Sequence, residues 1–396
     1  MLLTESAPLQ LVRFDLCFYM LFNKTMFSTD ESQAASNAAI AGVALGDQHS
    51  MLLMQDGSVW STPVVLYGDA AFHRRNGRYF AEAIPDGVTA FAAGASYSMA
   101  LKKDGSIWAM GRNAKGQLGD GTTVGKNTFF FVQVIAGAIA VAGGGGHSII
   151  LTQEGHVWTT GLNNYGQLGD ALTHQRTKFC IVMSTGVKAV AVAAGDMHSI
   201  VLKEDGSVWS TGRNNNGQLG DGSNADKSVF VEVMSTGAAD VTAGGWHSLV
   251  LKQDGSVLAT GCNEYGQLGD GSTTDRMNYV HVVSSEAKSI AAGRQHSLIL
   301  KRDGSVWATG SNKYGQLGDG TTTHRNVFVQ VMPGSAKVIA AGAMHSMVIT
   351  QDGSIWATGS NENGQLGDGS TMSKNCFVRL ALFRNGAGDE YTIIGI

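Results

Sequence analysis

Charge is scarce in this chain: Asp, Glu, Lys and Arg make up 15% of 396 residues and nearly cancel, to a net −4. That balance gives no global attraction to nucleic acid or to an anionic membrane, and no Lys/Arg run reads as a nuclear-import or polybasic signal. Cysteine is equally sparse. Cys17, Cys180, Cys262 and Cys376 form no C-x-x-C pair, which leaves no zinc or redox motif. Cys180 and Cys376 stand where related segments carry apolar residues, and Cys262 where they carry Arg, Leu or Ser, so structural thiols in a reducing compartment are expected. Long apolar runs are missing too. No stretch approaches the ~20 residues that span a bilayer. The apolar segment L-C-F-Y-M-L-F at 16–22 is short, follows Asp15 and precedes no convincing cleavage site. A monomeric, cytoplasmic protein with neither a membrane nor a nucleic-acid partner is the expectation. Helical periodicity of useful length is also absent.

What is present is glycine, 53 residues of it, and one pattern written seven times. The clearest copy reads A-A-G-R-Q-H-S-L-I-L-K-R-D-G-S-V-W-A-T-G-S-N-K-Y-G-Q-L-G-D-G over 291–320. Its anchor falls at His49, Tyr97, His147, His198, His247, His296 and His345, with spacings of 48, 50, 51, 49, 49 and 49 residues. A period of this length marks units that cannot bury an apolar face alone and must stack. In this copy, 288–292 and 296–301 read as strands, Asp303-Gly304 as a two-residue hairpin turn, and 305–309 as the return strand. A Gly-rich loop follows over 312–320, and 328–332 is the last strand.

Four antiparallel strands per repeat make a propeller blade. Seven of them favour a closed ring, because closure removes exposed edges. The expected fold is therefore all-β, a seven-bladed β-propeller of four-stranded antiparallel blades over 40–396, preceded by a leader or disordered arm at 1–39. The ring is expected to close by pairing of C-terminal with N-terminal strands. Residues 42–45 and 391–396 both resemble the strand that precedes a hairpin, and one place is open to them.

Six copies carry G-x-x-H-S and six carry G-Q-L-G-D, while the first is degenerate after Trp60. This pattern resembles the repeat of the regulator of chromosome condensation family, across roughly residues 40–396. The resemblance implies a seven-bladed propeller used as a binding surface. Its members include a guanine-nucleotide exchange factor on chromatin, an ultraviolet-B photoreceptor, inhibitors of β-lactamase, and modules of ubiquitin ligases.

Most eye-catching residues read as scaffold. The histidines lie one per blade with no ligand spacing, so they are expected to be buried and bonded to neighbouring backbone. Trp60, Trp108, Trp158, Trp209, Trp307 and Trp356 share one position that Leu258 fills in the fifth copy, and that interchange says inter-blade packing. Asp120, Asp170, Asp221, Asp270, Asp319 and Asp368 are single acids per loop and read as turn caps, since calcium needs several oxygens at close spacing. No cofactor, metal or catalytic set stands out, and a non-enzyme is expected.

The informative positions are the two residues between Gly and His, which vary while the frame is held. They place Asp47, Gln48, Asp196, Met197, Trp246, Arg294, Gln295 and Met344 on one face of the ring. Trp246 lies outside the shared tryptophan position and, with Arg294, has the chemistry of an interface hot spot. The leading expectation is a protein-interaction scaffold whose partner is another protein, here unidentified. Guanine-nucleotide exchange on a small GTPase is the alternative. Asp47 and Asp196 favour it, but even repeat lengths leave no room for an inserted wedge, and the basic tail that the resemblance would add is lacking. Inhibition of another enzyme is a further alternative.

Overall fold

A computed structural model describes residues 40–62, 79–184, 188–384 and 391–395. The expected arm at 1–39 and most of the degenerate first loop lie outside the described residues. Seven antiparallel sheets stand in a ring, and no helix occurs among the described residues. Blade six shows the design. Ala287–Ala292, His296–Lys301, Val306–Gly310 and Arg325–Met332 pair in sequence order, from the axis outward.

Two local features differ from expectation. The hairpin turn has three residues, not two: Lys301 N–H donates to Ser305 O and Gly304 N–H to Lys301 O. Gly304 takes the left-handed position at φ +80°, as in a three-residue loop with a bulge. The outer strand also begins earlier, at Arg325, because Gly310 pairs with it across a register shift and Asp319 holds its guanidinium at 2.7 Å.

The second strand of each blade is buried along nearly its whole length, since it is covered on both sides. The core is accordingly divided. Seven apolar clusters lie between neighbouring blades, such as Leu249, Val257, Leu268 and Ile299 between blades five and six. Each shared-position tryptophan packs on the blade before its own, as Trp307 does on that cluster. Most of them are half-buried, not enclosed. Their indoles lie at the blade end near the hairpin turn, where Lys203 caps Trp209 at 3.8 Å and Lys301 caps Trp307 at 4.0 Å.

The histidines bond from blade to blade. Each Nε2 meets the serine hydroxyl of the next H-S pair: His49 with Ser98 at 2.8 Å, then His147–Ser199, His198–Ser248, His247–Ser297 and His296–Ser346, each at 2.9 Å. The partner is thus a side chain, not the neighbouring backbone that the sequence suggested. The serine donates its own proton to a glutamine carbonyl of the Gly-rich loop, as Ser297 does to Gln267 O at 2.7 Å. That direction assigns the imidazole proton to Nε2. In blade two the Tyr97 hydroxyl reaches the same places, bonding the His147 carbonyl and Ser148 Oγ, so a phenol substitutes for the imidazole.

Ring closure is a correction. Ile40–Leu45 supplies the inner strand of blade one and pairs with the adjoining Ser50–Met54. The C-terminal strand Tyr391–Gly395 instead pairs with the far end of Lys374–Arg384, as a fifth strand of blade seven. Among the described residues no strand is exchanged between the chain ends. Residues 40–45 are tethered to their hairpin by a short connection, so their pairing costs far less loop entropy than recruiting a strand some 340 residues away. The last joint closes like the others, by His345 Nε2–Ser50 Oγ at 2.9 Å, Ser50 Oγ–Gln365 O at 2.6 Å, and a shared cluster of Leu52, Trp60 and Phe80 with Met347, Ile349 and Leu366.

Cys376 is exposed on an outer strand and not in an apolar position, whereas Cys262 is buried; both are free thiols, as is Cys180.

Burial holds His49, His147 and His247 at a pKa of about 4, and His198, His296 and His345 at about 3, against an ordinary 6.5. Below 6.5 the unfolded chain binds protons that the ring refuses, so stability present above that pH is lost as pH falls toward 4 and 3. Asp47 and Asp240, raised by burial to about 6 and about 7, act in the opposite sense and contribute stability that fades as pH rises through those values. The histidines outnumber them. The unfolding free energy from urea titrations between pH 7 and 4.5 should fall steeply, by an amount on the order of 1–2 kcal/mol per imidazole at pH 5, and a flat profile would contradict the neutral ring. Separately, Trp307→Ala should lower stability by about 2–3 kcal/mol, somewhat less than for an enclosed tryptophan, with an unchanged melting curve refuting the inter-blade contact.

Candidate functional site

The G-x-x-H connections of all seven blades meet at one mouth of the ring axis, around a cavity of about 80 Å³. Glycine is obligatory there. A Cβ on Gly293 would lie 2.3 Å from His296 Cε1 and 2.4 Å from the Gly342 carbonyl of the next blade. The first variable residue donates its N–H to a carbonyl in the next blade's connection. Arg294 reaches Gly342, and Ala343 reaches Gly46 across the closing joint, both at 3.2 Å. In blades two to seven the second accepts at its carbonyl from the backbone just past the third strand, as Trp246 does from Cys262 N–H at 2.8 Å. The backbone of both positions is therefore committed to the frame, and only their side chains are free to vary.

Around this mouth, the structure brings together several of the side chains singled out by sequence. Arg294 Nε lies 3.2 Å from Asp196 Oδ2, joining blades six and four, and its guanidinium carbon sits 5.4 Å from the centre of the Trp246 ring. Asp47, from blade one, shares their field. Burial, and then Asp196, raise its pKa to about 6, while Arg294 draws it down. Burial likewise raises Asp196, and Arg294 opposes that shift. Met197 accepts a hydrogen bond from Arg213 Nη1 at 3.5 Å. Gln295 and Met344 are half-buried on the same connections, and Gln48 is exposed.

Arg213 and Tyr165 were missed. Arg213 lies 5.0 Å over the Tyr165 ring and extends the face outward along the Gly-rich loops. The signal was available: the residue before the loop asparagine varies (Arg112, Leu162, Arg213, Cys262, Ser311, Ser360) just as the G-x-x-H positions do. Asp240 was also missed. It replaces an Ala, Gly, Ser or Val of the sister inner strands, and burial raises its carboxyl to about 7.

The loop aspartates are consumed by their own turns. Asp319 accepts from Asn312 Nδ2, Thr321 N–H and Thr321 Oγ1 and pairs with Arg325, so its oxygens are occupied by donors. Such a site holds polar, charged and aromatic side chains on a rigid rim and has the chemistry of a binding surface.

Seven four-stranded blades in a closed ring with a variable loop face define a seven-bladed repeat propeller. The chain belongs to the RCC1-like domain family, whose model matches residues 130–381, and models of the regulator of chromosome condensation (RCC1) repeat match residues 104–151 and 88–117. No curated protein sequence matches it. Among solved structures, human WBSCR16 superposes with TM-score 0.69 at 23% identity, over 76% of this chain and 84% of that one. Prp20p of Saccharomyces cerevisiae, described with its binding properties to Gsp1p and histones, gives 0.65 at 22% over 77% and 81%. Yeast RCC1 (Prp20), bound to Kap60, gives 0.71 at 17% over 95% and 96%. These likenesses establish the fold.

The mouth carries one charge prediction. Asp196→Asn removes the carboxylate that raises Asp47 and frees Arg294 to lower it, so the Asp47 pKa should fall from about 6 toward the ordinary carboxylate value. Carboxyl carbon NMR titration would read it, and an unmoved Asp47 would separate the two residues.

Proposed function

We propose that this chain is a non-catalytic propeller that binds a partner protein through the face bearing the G-x-x-H connections. One observation carries the reading: the positions whose backbone is locked into the ring are those whose side chains vary, and they present Trp246, Arg294, Met197, Met344, Asp47 and Asp196 together. Rigid backbone lowers the entropy lost on binding, and Trp and Arg supply anchoring contacts. Guanine-nucleotide exchange on a small GTPase is the second reading. The acidic pair at the mouth and the fold likeness to Prp20p favour it. Repeat spacings of 48–51 residues, with no inserted wedge, weigh against it.

Capture from native lysate should compare the wild type with Trp246→Ala combined with Met344→Ala. Arg294 is left intact, because it neutralises Asp196. The variant should keep its melting curve and lose its partner at least tenfold, about 1.4 kcal/mol of binding. Equal capture by both proteins overturns the reading. A small GTPase among the lost proteins calls for a nucleotide-release assay.

A further inference from the structure

Charge is not spread evenly around the binding face. The residue after the loop asparagine is Ala114, Asn164 and Asn215 in blades two to four, but Glu264, Lys313 and Glu362 in blades five to seven. In the first sector the acids are already engaged. Asp120 pairs with Lys126 at 3.9 Å, Asp170 with Arg176 at 2.7 Å and Asp221 with Lys227 at 3.2 Å. Asp196 is held by Arg294, and Asp226 accepts the Asn214 N–H at 2.7 Å. Lys115 and Arg213 are left with no acid partner among the described residues, and Arg112 is exposed in the same sector.

Both cations are held in place on either side of blade three. Arg213 lies over the Tyr165 ring of that blade's loop, with Nε donating to Asn215 Oδ1 at 2.8 Å and Nη1 to Met197 Sδ at 3.5 Å. Its Nη2 keeps its own donors for another group. From the other side, the stem of Lys115 runs past the connection of blade three, where its Cγ would lie 3.8 Å from a Cβ on Gly146. Between the two cations the surface is low. Gly145 and Gly146 leave blade three without a side chain at either variable position, whereas each of the other six blades carries at least one. Leu162 lies against the second glycine, 3.3 Å from where its Cβ would be. Neither glycine takes the left-handed backbone that would demand it. Blades four and seven raise Met197 and Met344 at the position of Gly146.

We propose that this sector seats an acidic, extended segment of the partner protein, with carboxylates on Lys115 and Arg213 and backbone crossing the glycines of blade three. The inference rests on the partner-binding reading above and adds the chemistry of the partner. A guanidinium fork and an ammonium group both suit carboxylates, and stacking on Tyr165 reduces the rotamer freedom that Arg213 loses on binding. Glu264 and Glu362 repel the same segment from blades five and seven, which fixes where on the ring it lies.

The probe is an acetylated, amidated hexaglutamate peptide, titrated into the full-length protein at low ionic strength and followed by amide NMR, with hexaglutamine as the control. Shifts are expected at Lys115, Gly145, Gly146, Leu162 and Arg213, and none from the control. Added salt should weaken binding at least threefold, because the contacts are exposed ion pairs. Lys115→Gln combined with Arg213→Gln should weaken it at least tenfold with the melting curve unchanged, and should lose the partner captured from lysate. Gly146→Met, which raises the side chain of blades four and seven, should weaken it at least threefold; the double glutamine variant keeps the test decisive if this one fails to fold. Absence of shifts at millimolar peptide overturns the proposal, as do shifts confined to the hairpin-turn end or binding unchanged in the double variant. Tenfold tighter binding of an oligothymidylate of the same length at the same residues overturns it in favour of nucleic acid. Loss of the partner by the Trp246→Ala, Met344→Ala variant without hexaglutamate shifts overturns this inference alone and leaves the binding face standing.

Discussion

Everything in this molecule depends on a hydrogen-bond relay that passes from blade to blade: imidazole N–H to serine hydroxyl, serine hydroxyl to glutamine carbonyl. A propeller has no single core. Its apolar surface is shared among inter-blade clusters, and those clusters alone would tolerate sliding of one sheet over the next. The relay is directional and buried, and a slip would leave a desolvated imidazole and hydroxyl without partners, at a cost of a few kcal/mol for each joint. It therefore sets the angle between blades and, by repetition, the number of blades that closes the circle. Tyr97 supports this account, since its hydroxyl keeps the link although the ring chemistry differs.

The same relay explains where variation is permitted. The connection that precedes each histidine is pinned by its glycine and by backbone hydrogen bonds, so the loop keeps its shape whichever side chains it carries. Arg294, Asp196 and Asp47 come from blades far apart in sequence and meet only because the ring brings their connections to a common axis. Blade five shows the complementary case. There Leu258 takes the shared tryptophan position and packs in the cluster between blades four and five.

The repeat, the strands, the turn glycines and the inter-blade role of the tryptophans were legible in the chain because each is a local pattern multiplied by the period. The partner of the histidines was not. It lies about 50 residues away, and only stacking reveals that the invariant serine of one copy serves the histidine of the copy before. The half-buried state of the tryptophans was likewise hidden, since it depends on how far one sheet overhangs the next.

By itself, the sequence determined the class of fold, the number of blades and the identity of the variable face, because periodicity, turn chemistry and apolar alternation are properties of neighbouring residues. Tertiary structure alone decided how the ring closes and which charges share the mouth. Those outcomes depend on distances between residues that the chain does not place side by side. The choice of residues 40–45 over 391–395 as an inner strand shows the reason: both fit the pattern, and tethering to the adjacent hairpin settled it.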